Sequence, residues 1–242
     1  MVGVPTKRAK TSKNKEKEDK IAKISEFLVK AGLAVLIIGV ALFFLVFYPV
    51  LFQELKYLVN RPDANIEVFV EKQGDLKDFD PRLVETGKTV IEPVDPNFSI
   101  IVPKISANAR VIANVDPYNS KVYQRELTKG VAHAAGTAFP DQKGNTFLFA
   151  HSSDNFYNAN RYNAVFYLLN KMEIGDDFLI VYEKEKYTYR VVEDKLVPPE
   201  AVEYLAAPLG DPDKQTVTLM TCWPPGTTIN RLVVVGELIN KE

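Results

Sequence analysis

The sequence predicts a mainly β protein, in which one N-terminal transmembrane helix precedes a domain of short strands with a few short helices. Three observations lead to this prediction. A run of residues near the N-terminus, 31–53, has no charged side chain. From Phe98 onward, short apolar runs rich in Val, Ile, Phe, Tyr and Thr alternate with turn residues, which is typical of strands. The chain has 242 residues, of which 46% are hydrophobic and 25% charged, so it can form one good core.

The N-terminal end of the chain is basic. Between Lys7 and Lys30, Lys and Arg residues clearly outnumber Asp and Glu residues, so we expect residues 1–30 to form a basic, polar and disordered tail. The uncharged run follows at 31–53. As a helix it would be about 34 Å long, which suffices to cross a bilayer core of about 30 Å.

Two other interpretations of this run fit less well. A helix buried in a soluble domain rarely has more than about a dozen wholly apolar residues. A cleavable signal peptide usually has an apolar region of about 7 to 15 residues and a small-residue cleavage site, whereas this run is longer and ends near Tyr48-Pro49-Val50-Leu51-Phe52. We therefore expect an uncleaved, single-pass anchor in the cell membrane.

The two flanks of the anchor differ in charge. The flank before it holds the excess of Lys and Arg, while the flank after it, Glu54 to Asp63, has only Lys56 and Arg61 as basic residues. The positive-inside rule then predicts a cytoplasmic N-terminus and an extracytoplasmic domain. Because the whole chain has a net charge of -1, its charge does not indicate a nucleic acid as a partner.

Beyond the anchor, the sequence predicts a stalk or linker at 54–96 with one short strand or helix, and a folded domain at 97–242. Mostly antiparallel strands at this spacing favour a closed or nearly closed barrel, which has no exposed sheet edge, although a sandwich also fits. The predicted strands are Ser99 to Val102, Arg110 to Val115, Asn145 to Ala150, Asp177 to Tyr182, Tyr187 to Glu193, Thr216 to Thr221 and Arg231 to Leu238. The predicted helices are Ser120 to Lys129, Ala164 to Lys171 and Pro199 to Leu205.

Three residues could together carry out acyl transfer. Cys222, the single cysteine, ends one strand-like run, His151 ends another, and Arg231 opens a strand after a turn. Strand ends can share one rim of a barrel, where a thiol attacks a carbonyl, an imidazole protonates the leaving amine and a cation stabilises the oxyanion. Each residue alone also fits a structural role, since a lone thiol is often buried and inert.

Several linked motifs resemble one known family, the sortases. Thr218-Leu219-Met220-Thr221-Cys222 matches the TLxTC signature of that family, and Asn230-Arg231-Leu232-Val233-Val234 matches the Arg-led strand that follows it. The family segment with the catalytic histidine is similar to Gly130-Val131-Ala132-His133, Gly136-Thr137-Ala138, Gly144-Asn145 and Ala150-His151-Ser152. The resemblance covers roughly Asn97 to Leu238, and the order of His, Cys and Arg agrees.

The resemblance implies an eight-stranded sortase-like β-barrel and a cysteine transpeptidase. Such an enzyme cleaves a C-terminal LPXTG-like sorting signal of a secreted protein through a thioester on Cys222, with His151 as acid and base and Arg231 as oxyanion stabiliser. It transfers the acyl group to an amine of the cell envelope or of a pilin, or to water in a processing peptidase. The resemblance favours a minor thiolate–imidazolium state over a stable ion pair. We expect no cofactor.

A different class of function is also compatible with the sequence, in which the chain has the same barrel but does not catalyse acyl transfer. The chain would then be a catalytically inactive, membrane-tethered binding or structural module. A buried, unreactive Cys222 would favour this alternative, and an exposed Cys222 between His151 and Arg231 would disfavour it. The papain family fits poorly, because its cysteine precedes its histidine whereas Cys222 follows His151.

Three further residues are candidates for substrate binding. His133 is the rival of His151, and its small neighbours suggest a tight loop, so we expect His133 to line the substrate pocket and not to act as the general acid. Thr221 and Trp223 flank the nucleophile and are assigned to the same pocket. Trp223 also fits a second role, which we favour, that of an aromatic side chain packed over the barrel end.

Two weaker patterns concern a metal and a lid. Carboxylates at Asp154, Asp176, Asp177 and Glu183 do not form a closely spaced calcium loop, so we expect no metal. Asp95-Pro96-Asn97-Phe98 is similar to the Asp-Pro-aromatic lid of pilus-building sortases, but Asp-Pro pairs recur elsewhere in the chain.

Overall fold

The computed structural model describes residues 7–59, 66–68, 89–152, 165–204 and 213–242. The chain divides into two units, one that ends at Tyr48 and one that begins at Pro49. The described residues of the first unit are helical, and the second unit contains the strands.

One long helix, α1, runs from Lys7 to Val59 over 53 residues. It contains the uncharged run 31–53, and its segment Lys23–Leu45 is long and apolar enough to cross a membrane, with none of it buried. The expectation of a disordered tail is wrong from Lys7 onward, because these residues are helical. Lys, Glu and Ala are strong helix formers, and an i,i+4 pair such as Glu26 and Lys30, at 2.6 Å, adds support.

The stretch between α1 and the barrel contains two short strands, where the sequence predicted one short element. β1 (Ile66–Val68) and β2 (Thr89–Ile91) pair in parallel, with Ile66 opposite Thr89. Residues 60–65 and 69–88, on which much of the stalk prediction falls, lie outside the described residues.

The linker after β2 is docked on the outside of the barrel. Ile91 packs against a small apolar cluster that includes Ile101. The side-chain amide of Asn108 donates to the carbonyl oxygen of Glu92 at 2.7 Å and accepts from the backbone N–H of Val94 at 3.2 Å. A single amide thus satisfies two backbone groups of the linker, as a neighbouring strand would.

Asp95, which opens the segment similar to a sortase lid, belongs to the same contact. Its carboxylate pairs with Arg110 Nε at 2.9 Å and accepts from the Asn97 backbone N–H at 2.9 Å. Phe98 already lies in the first barrel strand and is buried in the core. This segment therefore joins the linker to the barrel, and its side chains do not line the cleft beside Cys222.

Eight of the described strands close into one barrel, as the resemblance implied. In chain order they are β3 (Phe98–Val102), β4 (Ala107–Val115), β5 (Val131–Ala134), β6 (Gly144–Phe149), β7 (Asp177–Tyr182), β8 (Glu185–Val197), β9 (Gln215–Trp223) and β10 (Asn230–Lys241). Their order around the barrel is β10-β8-β7-β3-β4-β5-β6-β9. β4 pairs in parallel with β5, and β6 with β9; the other neighbours are antiparallel.

β5 is the barrel strand that the sequence did not predict. Its four residues, Val131–Ala134, include two alanines and one histidine, so the β-branched and aromatic pattern is missing. It still pairs on both sides, and His133 lies opposite Leu148 of β6. The expected tight loop around His133 is therefore a buried strand.

One predicted helix is confirmed, and two are shorter than expected. α2 spans Ser120–Leu127, and the side-chain oxygen of Asn119 caps it by accepting from the Val122 backbone N–H at 3.3 Å. The other two segments contain only the 3-10 turns Leu169–Lys171 and Val202–Tyr204 within the described residues. Runs this short seldom sustain an α-helix, because the first helical turn is costly to form.

Alternation along the strands separates an interior core from an outer cluster. The interior core includes Ile100, Phe178, Tyr189, Val217 and Leu219. The outer cluster, which packs under α2 and the 3-10 turn after β8, includes Phe147, Phe149, Tyr204, Val233 and Val235. Because successive residues of a strand point to opposite faces, Met220 and Cys222 lie on the outer face of β9.

Candidate active site

Cys222 and Arg231 lie directly opposite each other on the hairpin of β9 and β10. The two residues are register partners in the antiparallel ladder. Directly opposed residues point to the same face, with Cα atoms about 4.5 to 5.5 Å apart, so the thiol and the guanidinium share the outer face. The sequence predicted their convergence, and the hairpin provides it.

His151 is brought to the same place by the parallel pairing of β6 with β9. The last ladder pair is Phe149 with Met220, and the Ala150 N–H then donates to the Met220 carbonyl at 3.2 Å. Beyond the ladder, the Thr221 hydroxyl donates to the Ala150 carbonyl at 2.9 Å. His151 follows Ala150, and Cys222 follows Thr221. The two strand ends therefore hold His151 and Cys222 side by side.

The three side chains line one cleft. It has a volume of about 480 Å³, and Cys222 is half-buried in it. The sequence predicted a site at the rim of the barrel, and the site does lie at strand ends. It opens on the outer face, however, because Cys222 is one of the β9 residues whose side chains point outward. A half-buried thiol that faces a cleft differs from the buried thiol that would favour the binding-module alternative.

Four aromatic side chains form part of the lining of the cleft, and the sequence analysis assigned none of them to the site. Tyr118 and Tyr123 lie before and within α2, and Phe147 and Phe149 lie on β6. The Tyr118 side chain is 79% exposed. No motif identifies these residues, because the pairing of β6 with β9 places Phe147 and Phe149 beside Cys222, and the packing of α2 on the outer cluster places Tyr123 there.

Backbone carbonyls hold the Arg231 guanidinium at the cleft. Its Nη1 donates to the carbonyls of Thr228 and Asn230, both at 3.2 Å. In the described part of the chain, none of the ion pairs involves Arg231. A guanidinium held by neutral carbonyls keeps its charge available for a developing oxyanion.

His133 does not line this cleft, contrary to expectation. It is fully buried in β5, where its ring lies 4.6 Å from that of Phe139 between centroids. Nδ1 accepts from the Asn114 backbone N–H at 3.3 Å, and Nε2 lies 3.0 Å from the Thr137 hydroxyl and 3.2 Å from the Ala138 carbonyl. Burial lowers the pKa of His133 below its usual range. The His133 side chain points from β5 into the barrel, whereas the cleft lies on the outer face, so His133 and the cleft are on opposite sides of the sheet.

Thr221 and Trp223 differ in their relation to the cleft. Thr221 lines it, but its side chain is only 2% exposed and its hydroxyl is bonded to the Ala150 carbonyl. Trp223 is partly buried and packs against the interior core. Of its two predicted roles, the structure shows the packing role at the barrel end.

Two of the four carboxylates considered for calcium, Asp176 and Asp177, form ion pairs with basic side chains. Asp176 accepts from Lys104 Nζ at 2.8 Å, and Asp177 pairs with Arg190 through bonds of 2.8 and 3.0 Å. Asp154 lies outside the described residues. Within the described ranges, no group of three or more His, Cys, Asp or Glu side chains could hold a metal ion.

Comparison with known proteins places the chain in one family. Residues 100–239 match the family described as Sortase domain. Sortase D of Bacillus subtilis (strain 168) is 23% identical over 141 residues, which cover 57% of this chain and 61% of that protein. Sortase SrtE2 of Streptomyces coelicolor is 36% identical over 110 residues, covering 42% of this chain and 40% of that protein.

A solved structure agrees with the fold. The crystal structure of sortase C-1 from Actinomyces oris is similar with a TM-score of 0.50 and 28% identity, over 61% of this chain and 76% of that chain. The chain spans about three-fifths or less of the length of the curated relatives named above. The family match covers more than half of the chain and contains the whole hairpin of Cys222 and Arg231. The chain therefore belongs to the sortase family.

Proposed function

We propose that this chain is a membrane-anchored transpeptidase that cleaves a C-terminal LPXTG-like sorting signal of secreted proteins and joins the acyl part to an amine of the cell envelope or of a pilin. The observation that carries the proposal is the register pairing of Cys222 with Arg231 on the outer face of the β9–β10 hairpin. With His151 in the same cleft, the three side chains supply the groups that acyl transfer needs.

In the first half of the reaction, the Cys222 thiolate attacks the carbonyl carbon of the scissile peptide bond. The carbonyl oxygen becomes an oxyanion, which the Arg231 guanidinium stabilises. When the oxyanion collapses, the C–N bond breaks, and the leaving amine takes a proton from the His151 imidazolium. The product is a thioester on Cys222, a neutral His151 and a free C-terminal fragment.

In the second half, an incoming amine attacks the thioester carbon. His151, now neutral, takes the proton that the amine loses, and Arg231 again faces the oxyanion. The C–S bond breaks, so that Cys222 leaves as a thiolate and the acyl group ends on the amine. Water in place of the amine would give hydrolysis with the same residues.

The cleft suits an extended peptide with apolar side chains. Tyr118, Tyr123, Phe147, Phe149 and Met220 line it, together with Pro117 and Pro199. Aromatic and proline side chains give a large apolar contact area with little conformational freedom to lose. These neighbours support a sorting signal with apolar residues near the scissile bond.

The proposed location follows from the helix α1 and the charges around it. Its segment Lys23–Leu45 is long and apolar enough to span a membrane, and the excess of Lys and Arg precedes the uncharged run. The proposal places the N-terminus in the cytoplasm and the barrel outside the cell membrane, where secreted substrates and envelope amines are present.

The proposal is tested by turnover of a peptide library built on LPXTG-like sequences. The full chain in detergent micelles is incubated with the library, with and without an added amine such as triglycine, and the products are identified by mass spectrometry. We expect one sequence class to be cut, and the acyl part to appear on the amine when the amine is present.

Three other outcomes are distinguishable. Cleavage without transfer to any amine would contradict the transpeptidase in favour of a processing peptidase. Cutting that persists in Cys222→Ala would contradict the assigned nucleophile. Peptide binding without any cutting would support the inactive binding module instead.

A further inference from the structure

The hairpin between β9 and β10 holds the guanidinium of Arg231 by one of its nitrogens. Nη1 donates to the carbonyls of Thr228 and Asn230, both at 3.2 Å. A guanidinium has five N–H groups, of which Nη1 carries two. The hairpin backbone thus accepts both N–H groups of Nη1. Among the described residues, no side chain or carbonyl accepts from Nε or Nη2, so these three N–H groups can donate to a substrate oxygen.

The residues before Thr228 form a rigid turn. Pro224 to Thr227 make a type II β-turn, in which the Thr227 N–H donates to the Pro224 carbonyl at 3.0 Å. Pro225 occupies the second position, where its fixed φ fits, and Gly226 occupies the third with a φ of 78°. The sequence at these positions is therefore the one that this turn type requires.

The Thr227 side chain closes the same turn a second time. Its hydroxyl donates to the Pro224 carbonyl at 2.8 Å, so this carbonyl accepts two bonds from one residue. Thr227 is also the residue directly before Thr228, whose carbonyl holds Arg231. A rotation of the backbone at Thr227 would therefore move the acceptor of Nη1.

Thr227 lines the cleft together with Thr228 and Arg231. We infer that its hydroxyl, which is bonded to the Pro224 carbonyl, acts on the reaction as a positioning group through Arg231. By locking the Pro225–Gly226 turn, its hydroxyl fixes the Thr228 carbonyl and, through it, the direction of the Arg231 guanidinium. Neutral carbonyls suit this task better than a carboxylate, because they orient the cation without neutralising it. The inference rests on the proposed function, in which Arg231 stabilises the oxyanion.

The test measures the rate of thioester formation on the full chain by intact-mass spectrometry in a single turnover. Thr227→Val removes the hydroxyl at nearly constant shape, and we expect a loss of about three- to tenfold in the rate at saturating peptide, with little change in the peptide concentration for half-saturation. Thr227→Ser restores the donor and should restore the rate. Ile229→Ala is the control, since Ile229 lies in the same hairpin, is exposed and is not among the residues that line the cleft.

A second variant disturbs the turn without touching the hydroxyl. Gly226→Ala puts a β-carbon at a φ of 78°, where L-residues are strained, so the turn must shift. We expect a loss of about tenfold or more in the same rate, with the melting temperature of the barrel close to that of the wild type.

A double-mutant cycle shows whether Arg231 carries the effect. In an Arg231→Ala background, Thr227→Val should have no further effect on the rate. The inference is overturned if Thr227→Val forms the thioester as fast as the wild type, or if it slows the Arg231→Ala variant by the same factor. A wild type that forms no thioester at all would overturn the proposed function itself, which separates the two failures.

Discussion

Cys222, His151 and Arg231 act as one unit in the proposed chemistry, so their replacement should abolish or strongly reduce turnover. Cys222→Ala should prevent thioester formation, while His151→Ala and Arg231→Ala should each lower the rate by on the order of 10² or more. The measurement is peptide turnover at saturating substrate, with folding checked by circular dichroism.

The control for the charge change is Arg190→Ala. Arg190 is an exposed cation that pairs with Asp177 and does not line the cleft, so its loss should leave turnover unchanged. Arg231→Lys should be more active than Arg231→Ala but less active than the wild type. A lysine ammonium lacks the planar guanidinium that can donate to the hairpin carbonyls and to the substrate at the same time. An equal loss in Arg190→Ala and Arg231→Ala would contradict the assigned role.

His133 should make the stability of the barrel depend on pH. Burial lowers its pKa in the folded state below the ordinary value of 6.5, so the unfolded chain takes up a proton at higher pH than the folded one does. The free energy of unfolding is therefore not reduced by His133 above about pH 6.5. It decreases as the pH falls through the range between 6.5 and the lowered pKa.

This pH dependence is checked by melting temperatures at pH 7.5 and 5.5. The wild type should melt at a lower temperature at pH 5.5, and His133→Gln, which does not titrate in this range, should show a smaller difference between the two values. An unchanged difference in His133→Gln would assign the effect to other groups. Equal losses of activity in His133→Gln and His151→Ala would also contradict the choice of His151.

At the scale of single elements, the linker after β2 should contribute to the stability of the barrel. Asn108→Ala removes both bonds to the linker backbone and should lower the free energy of unfolding by about 1 to 2 kcal/mol in urea denaturation. Asn240→Ala is the control, because its amide contacts only the exposed Glu242 carboxylate. Faster proteolysis between residues 92 and 96 in Asn108→Ala alone would locate the effect, and identical urea midpoints in both variants would refute it.

Strand β10 has a glycine, Gly236, whose replacement by a larger residue would crowd the interior core. A β-carbon on Gly236 would lie 2.5 Å from Phe178 Cε1 and 3.1 Å from Tyr189 Cβ, in the interior core. Gly236→Ala should therefore cost about 1 to 3 kcal/mol of stability, measured by urea denaturation. Phe178→Leu combined with Gly236→Ala should recover part of this loss, and a fully stable single variant would contradict the close packing described here.

The elements that the sequence predicted are those with strong local patterns. The strand Asp177–Tyr182 was predicted to the residue, and the predicted strand Thr216 to Thr221 lies within the longer β9, because β-branched and aromatic residues are bounded by clear turns. β5 escaped prediction, since two alanines and a histidine give no such pattern and only pairing with β4 and β6 makes it a strand. Two of the predicted helices are only 3-10 turns in the described residues, because these segments are too short to sustain an α-helix.

At the scale of the whole molecule, the site was predictable in its residues but not in its surroundings. The motifs around Cys222, His151 and Arg231 identify the reactive groups, and their order along the chain indicates the family. The outer face and the aromatic wall depend on the parallel register of β6 with β9, which joins residues about 70 positions apart and leaves no local signal. The place of His133 depends on the pairing of β5 with β4 and β6, which leaves no local signal either.

The central claim is that Cys222 forms the acyl intermediate in a cleft shared with His151 and Arg231. Intact-mass spectrometry of the full chain, quenched with acid after mixing with the peptide cleaved in the library experiment, tests it most directly. We predict an adduct with the mass of the N-terminal peptide fragment minus water, absent in Cys222→Ala and released onto an added amine. An adduct that persists in Cys222→Ala, or peptide cleavage with no adduct on Cys222 at any time, would contradict it.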